Sequence, residues 1–263
     1  MKLDLIKLVA VRAAFRAGKI LNQYYGKPIK ITKKGIMDLV TEADVASEES
    51  IIATIHEVFP DHAILAEESG ASGNGQNDLW VIDPLDGTTN FAHQLPIFAV
   101  SIAYCHNDEI MVGVVFNPAT GELYDAVKDE GARLNGEPIQ VTTTNSVGES
   151  LLVTGFPYTV RTRYPKDQMA RFGRCLTAAQ GIRRLGSAAL DLCYVAAGRF
   201  DGYWEENLKP WDTAAGMCIV IEAGGKVSDF NGLLYTITDQ QILATNSHIH
   251  RQMVDLLNTE GVI

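Results

Sequence analysis

The 263 residues are 46% apolar, enough to bury a sizeable core as one large domain or two closely packed lobes. A net charge of −10 argues against non-specific nucleic-acid binding, so no nucleic-acid partner is expected, while a small anionic substrate stays open because cations can supply local positive charge. No run approaches ~18 uninterrupted apolar residues, residues 1–26 are charged throughout rather than leader-like, and the 4 cysteines show no C-x-x-C or zinc spacing. The chain therefore reads as a cytoplasmic protein with reduced thiols and no membrane span.

The first element is a helix. Ile6, Val9, Ala13, Ala17, Ile20 and Tyr24 recur at three- and four-residue steps, and Gly26 is placed to end it. Residues 27–37 are polar, basic and aperiodic, and are expected to form a mobile loop. A second helix is expected over residues 44–59, with Val45, Ile52, Ile55 and Phe59 on one apolar face and Thr41 and Asp44 at its N-terminal edge. A short strand over residues 63–66 delivers Glu67 and Glu68, residues 69–78 read as a glycine-rich loop, and a strand over residues 79–82 follows. Residues 98–104, 111–116 and 122–127 read as strands of an antiparallel meander, and Asn135-Gly136 marks a further hairpin.

In the second half strands and helices alternate. Strands are expected over residues 151–154, 183–185, 200–204, 226–228 and 241–245. Helices are expected over residues 166–179, from Ser187 to Gly198, over residues 211–223, and after Ser247 as a cap. The whole is α+β. A change of rhythm near residues 141–149 divides it into an N-terminal lobe, residues 1–145, and an α/β C-terminal lobe, residues 146–263.

The chemistry gathers around Trp80-Val81-Ile82-Asp83-Pro84-Leu85-Asp86-Gly87-Thr88-Thr89-Asn90-Phe91. Asp83 and Asp86 follow an apolar run, with Pro84 fixing φ between them. Carboxylates at the mouth of a strand suit hard divalent cations such as Mg²⁺, and the backbone N–H groups after them suit a phosphate. An acidic turn capping a helix would look much the same. Taken singly, Asp44, Glu67 and Asp212 also read as caps or solvated loop residues. Taken together, Asp44, Glu67, Asp83, Asp86 and Asp212 all fall at element ends, where side chains can converge on one crevice.

Glu67-Glu68-Ser69, the stretch from Trp80 to Phe91, and Trp211-Asp212-Thr213-Ala214-Ala215-Gly216 together resemble the inositol monophosphatase family of lithium-sensitive, Mg²⁺-dependent phosphatases. The likeness extends over nearly the whole chain, through Asp38-Leu39-Val40-Thr41-Glu42-Ala43-Asp44, Gly186-Ser187-Ala188-Ala189 and Glu205. It implies a layered αβαβα sandwich, an antiparallel-sheet lobe packed on a mixed α/β lobe. It also implies two or three Mg²⁺ per subunit, held by Glu67, Asp83, the Leu85 carbonyl, Asp86 and Asp212. Asp83 would bridge two ions, and Glu67 would help to hold a third through water. The catalytic roles implied fall on Asp44, Thr88 and Glu67, with Thr88 and Asp44 orienting the attacking water. Gly87 and Thr88 would bind phosphate through their N–H groups. The substrate's hydroxyls would meet Asp86, Ser187, Ala188, Glu205 and Asp212.

The resemblance further implies a homodimer, a flexible flap at Lys33-Lys34, and a small phosphorylated polyol as substrate, inositol 1-phosphate first. Fructose 1,6-bisphosphate, histidinol phosphate and 3′-phosphoadenosine nucleotides are alternatives within the superfamily. A protein-binding module retaining the fold is an alternative of another class.

Overall fold

Helix α1 (Leu3–Tyr24) forms on the apolar repeat expected of it, burying Ile6, Val9, Ala13, Ala17 and Leu21, and Gly26 beyond its end takes a left-handed φ of 77°. The computed structural model describes residues 3–27, 31–33, 39–73, 75, 77–157 and 166–258. Within residues 27–37, read above as a loop, Ile31–Lys33 (β1) instead pairs antiparallel with Leu39–Thr41 (β2). Of the expected flap, Lys34 lies outside the described residues.

Helix α2 (Glu42–His56) begins two residues earlier than the sequence suggests, which puts Asp44 inside its first turn. Its buried face also differs. Val45 is exposed, while Asp44, Ser47, Glu48, Ile51 and Ile55 are buried along one stripe. Apolar periodicity misjudged this helix because half of the buried face is polar and carries specific hydrogen bonds.

An eight-stranded sheet forms the centre of the N-terminal half. Its members are Ala63–Ala66 (β3), Gly70–Ser72 (β4), Asp78–Asp86 (β5), Ala99–His106 (β6), Glu109–Asn117 (β7), Glu122–Val127 (β8), Gly131–Leu134 (β9) and Glu137–Pro138 (β10). They lie in the order β10-β9-β8-β7-β6-β5-β3-β4. From β5 to β10 the sheet is the expected antiparallel meander, but β3 runs parallel to β5, so the sheet is mixed. The stretch read as a glycine-rich loop contains β4, whose hairpin with β3 needs no apolar residues and left no pattern to read.

A second, five-stranded sheet combines Leu151–Thr154 (β11), Gly181–Arg183 (β12), Gly202–Glu206 (β13), Lys226–Ser228 (β14) and Gln241–Thr245 (β15), in the order β12-β11-β13-β15-β14. Strand β12 ends where the sequence reading began it. Helices α4 (Lys166–Ala178), α5 (Ala188–Ala196), α6 (Pro210–Glu222) and α7 (His250–Asn258) fall close to their expected places. Asn246 rather than Ser247 serves the start of α7: its side chain accepts from the Ile249 N–H, while the Ser247 hydroxyl donates to the Gly224 carbonyl.

Side-chain alternation along the strands builds the layers. Trp80, Ile82, Ile102, Tyr104, Val112 and Val114 pack under α1 and α2. Their neighbours Val81, Ala103 and Val115 face the opposite way, against α5 and α6. On the second sheet Val153, Tyr203 and Ala244 face those same two helices, while Leu152, Trp204 and Leu243 face α4 and α7. The order is therefore helix, sheet, helix, sheet, helix, the αβαβα sandwich. No helix among the described residues is long and apolar enough to cross a membrane.

Close packing fixes α6, whose first turn carries Asp212. A Cβ on Gly113 of β7 would stand 2.5 Å from the Ala215 carbonyl oxygen, and one on Gly216 would stand 2.6 Å from Leu192 of α5. Glycine at both places lets α6 lie directly on the first sheet and beside α5. The Ser101 hydroxyl of β6 reaches the Trp211 carbonyl at 3.3 Å, tying the helix start to the strand next to Asp83.

Candidate active site

Strand β5 carries the centre of the site through an irregularity. Its register with β6 runs Ile82↔Ile102 and Asp83↔Ser101, then shifts by one residue to Asp86↔Ala99. Pro84 sits in this bulge, where its missing N–H breaks no ladder bond. The bulge lets Asp83 and Asp86 approach a common point instead of lying on opposite faces of a regular strand. The Leu85 N–H donates to Asp83 Oδ1 at 2.9 Å and closes the bend. From α2 the Ser47 hydroxyl donates to the Pro84 carbonyl at 2.9 Å and braces it from behind.

Asp212, from the first turn of α6, joins them. Carboxylate oxygens of Asp83, Asp86 and Asp212 all lie within 4.8 Å of one another. Each is held by donors that orient it. Asp86 Oδ2 accepts from the Ser187 hydroxyl at 2.6 Å and the Ala189 N–H at 2.8 Å, and an Asp212 oxygen accepts from the Lys209 N–H at 2.7 Å.

The electrostatics are those of crowded anions. Burial first, then the charges of Glu67, Asp86 and Asp212, push the Asp83 carboxyl well above its ordinary range. Asp212 is raised by burial and then by Asp86. Asp86 is pushed up to about 6 by burial, against the lowering effect of the Ser187 hydroxyl and the N–H groups of Ala189, Ala188 and Gly87. Three buried or half-buried carboxylates in this position repel one another unless a cation joins them. Oxygen-only ligands suit a hard divalent cation such as Mg²⁺ or Ca²⁺, so the donor set fits a metal centre.

The other expected residues surround this cluster. Glu67 ends β3 next to the bend, its N–H bonded to the Ile82 carbonyl, and its charge is felt by Asp83 and Asp212. Gly87 adopts φ 88°, and a Cβ there would stand 2.9 Å from the Ile97 carbonyl, so the turn into the short helix α3 (Thr88–Ala92) needs glycine twice over. The Thr88 hydroxyl lies 3.3 Å from Asp44 Oδ1 and 3.1 Å from the Leu85 carbonyl, two acceptors for one proton. Ser187 caps α5 by accepting from the Leu190 N–H, which places Ala188 beside Asp86. Glu205 on β13 is buried, accepts from the Tyr203 hydroxyl at 2.7 Å, and is pushed up to about 7 by burial. Glu67, Thr88, Ser187 and Glu205 thus come from four separate segments around the carboxylates of Asp83, Asp86 and Asp212.

Several contributors were not foreseen. Glu48 accepts from the N–H groups of Glu68 and Ser69 at 2.9 and 2.8 Å, fixing the turn that presents Glu67. Its spacing from Asp44 is one helical turn, the only trace it leaves in the sequence. Asn90 donates to the carbonyls of Ile97 and Leu185, tying α3 to the turn before Ser187. Asp191 of α5 is buried, and among the described residues neither of its oxygens has a hydrogen-bond partner.

Burial, then the charges of Glu205 and Asp86, push Asp191 well above its ordinary range. A carboxyl raised in this way contributes its full stability below the unfolded pKa and loses it as pH rises through the folded one. Asp191→Asn is therefore expected to stabilise the protein by roughly 1–3 kcal/mol at pH 8, with the gain shrinking toward pH 4. Thermal melts across that range test it, and a lower midpoint at pH 8 would contradict the expectation.

The chain matches known proteins along nearly its whole length. The family model for the inositol monophosphatase family aligns with residues 2–261. Inositol-1-monophosphatase of Synechocystis sp. is 48% identical over 95% of this chain and 87% of its own length. Nus factor SuhB of Pasteurella multocida is 45% identical over 94% of this chain and 93% of its own. The solved inositol monophosphatase of Anabaena sp. superposes with a TM-score of 0.89 at 44% identity, covering 98% of this chain and 96% of that one. With its acidic cluster built from two separated segments and its fold shared end to end, the chain belongs to the inositol monophosphatase family.

Proposed function

We propose that this protein hydrolyses the phosphomonoester of a small polyol, inositol 1-phosphate foremost, with Mg²⁺ as cofactor. One observation carries the reading: a buried, hydrogen-bonded carboxylate, Glu205, lies within electrostatic reach of Asp86 and Asp212 of the cluster. A carboxylate fixed there accepts hydrogen bonds from ring hydroxyls, which an apolar or purely aryl leaving group cannot offer.

Asp83, Asp86 and Asp212, with Glu67 and the Leu85 carbonyl, would hold two or three Mg²⁺. Divalent cations so held supply Lewis acidity and lower the pKa of an attacking water. The chain's own groups do the rest. The Thr88 hydroxyl, lying 3.3 Å from Asp44, would donate to that carboxylate, so that its oxygen could accept a proton from the water while Asp44 takes its own. The Gly87 N–H already serves Asp86, which makes Thr88 N–H the stronger of the two phosphate donors. Ser187, the Ala188 backbone, Asp86, Asp212 and Glu205 would orient the polyol, and no covalent phosphoenzyme is required.

The same reading expects lithium inhibition, a homodimer and a cytoplasmic location. The Nus factor name of the Pasteurella relative favours a second reading, in which this chain also acts through a macromolecular partner. Measurement of kcat/KM with Mg²⁺ over inositol 1-phosphate, fructose 1,6-bisphosphate, histidinol phosphate, a 3′-phosphoadenosine nucleotide and 4-nitrophenyl phosphate decides between them. Inositol 1-phosphate is expected to lead the panel. Faster turnover of another member would replace the substrate, and absence of turnover on all would favour the partner reading.

A further inference from the structure

Glu205 owes its place to a side chain that is missing. Strands β11 and β13 run parallel with Thr154 opposite Trp204, and the Thr154 hydroxyl donates to the Trp204 carbonyl at 2.6 Å, locking that register. Gly155 follows the end of β11 and lies directly beside Glu205. A Cβ on Gly155 would come closer than 3.0 Å to Oε1, Oε2 and Cδ of Glu205, nearer than real Cβ atoms approach. The Glu205 carboxylate thus lies across bare backbone, with Oε2 held there by the Tyr203 hydroxyl at 2.7 Å.

Conformation does not explain this glycine. Its φ lies outside the left-handed region that favours glycine, unlike that of Gly87 or Gly186. Alanine could adopt the same backbone, so what the position lacks is room. The three atoms nearest to that Cβ all belong to the end of one flexible side chain, so a methyl group would displace the carboxylate before the strand. That displacement would pull Glu205 off Tyr203 and away from the position where it faces Asp86 and Asp212.

We propose that Gly155 is a positioning residue for substrate selection: by leaving space beside β13, it lets the Glu205 carboxylate lie where a polyol's hydroxyl groups meet it. The inference deepens the polyol-phosphatase reading above and rests on it. Because Gly155 acts through Glu205, its replacement is expected to fall on the binding of ring hydroxyls rather than on the hydrolytic step.

The experiment compares kcat/KM for inositol 1-phosphate and for 4-nitrophenyl phosphate, whose leaving group has no ring hydroxyls, in the wild type and in Gly155→Ala. The ratio is expected to fall by about tenfold or more, the loss appropriate to a hydrogen bond to a charged group. The loss should appear mainly in KM for the inositol ester, with the aryl ester within about twofold. A wild type with no preference for the inositol ester would overturn the polyol reading and this inference with it. A wild type with the preference and a folded Gly155→Ala that keeps it would overturn this inference alone. Thermal melts supply a second readout. If the methyl group collides with Glu205, the double variant Gly155→Ala/Glu205→Ala will be more stable than Gly155→Ala. A double variant no more stable than the single one would equally overturn the proposal.

Discussion

Asp83→Asn is expected to lower kcat for the preferred phosphomonoester by roughly a hundred- to a thousandfold, the range for losing one preorganised electrostatic group at a reacting centre. The side chain sits at the bend of β5, buried, and is the carboxylate on which the charges of Glu67, Asp86 and Asp212 converge. An amide keeps the shape and can still accept from the Leu85 N–H. What it removes is the charge that would bridge two cations. The same change relieves repulsion among the buried acids, so the metal-free variant should melt at a higher temperature than metal-free wild type. Addition of Mg²⁺ should do the opposite ranking. Wild type gains about 2.7 kcal/mol at a hundredfold excess over Kd, and the variant gains less. Activity within about tenfold of wild type, at saturating Mg²⁺, would remove Asp83 from the metal centre.

Thr88→Val should cost about a hundredfold in kcat with little change in KM, as expected for loss of a positioned proton acceptor. The substitution keeps the branched shape at the first residue of α3 and deletes the hydroxyl that lies between Asp44 and the Leu85 carbonyl. Thr88→Ser should recover most of the rate, because the hydroxyl returns. Steady-state kinetics on both variants make the comparison. A parallel rise in KM with unchanged kcat would mean that Thr88 binds substrate rather than orienting water.

Much of this site could be read from the chain because its residues stand next to strong local signals. Buried strands appear as apolar runs, so β3, β11 and β15 have the ends the sequence suggests, and the turn signals flanking β8 and β14 set theirs. The acids follow those runs or open a helix whose start is marked by Pro210. Where polar groups are buried the reading weakens. Ser47 and Glu48 face inward on α2 because a carbonyl and two N–H groups await them there, and hydrophobic periodicity cannot register such partners. Short strands such as β1 and β4 leave no apolar run at all.

By itself, then, the sequence determined which residues are the candidates for chemistry: the carboxylates of the Trp80–Phe91 stretch, Glu67, Asp212 and the hydroxyl of Thr88, each announced by its neighbours in the chain. Only the tertiary structure decided how they meet. Asp212 reaches Asp86 because glycines 113 and 216 let α6 lie against the first sheet and α5. Glu205 is held where it is because Tyr203 donates to it and Gly155 leaves it room from an adjacent strand. Local signals encode what a residue is and which element it belongs to. Space and hydrogen-bond partners contributed by distant segments exist only once the layers have packed.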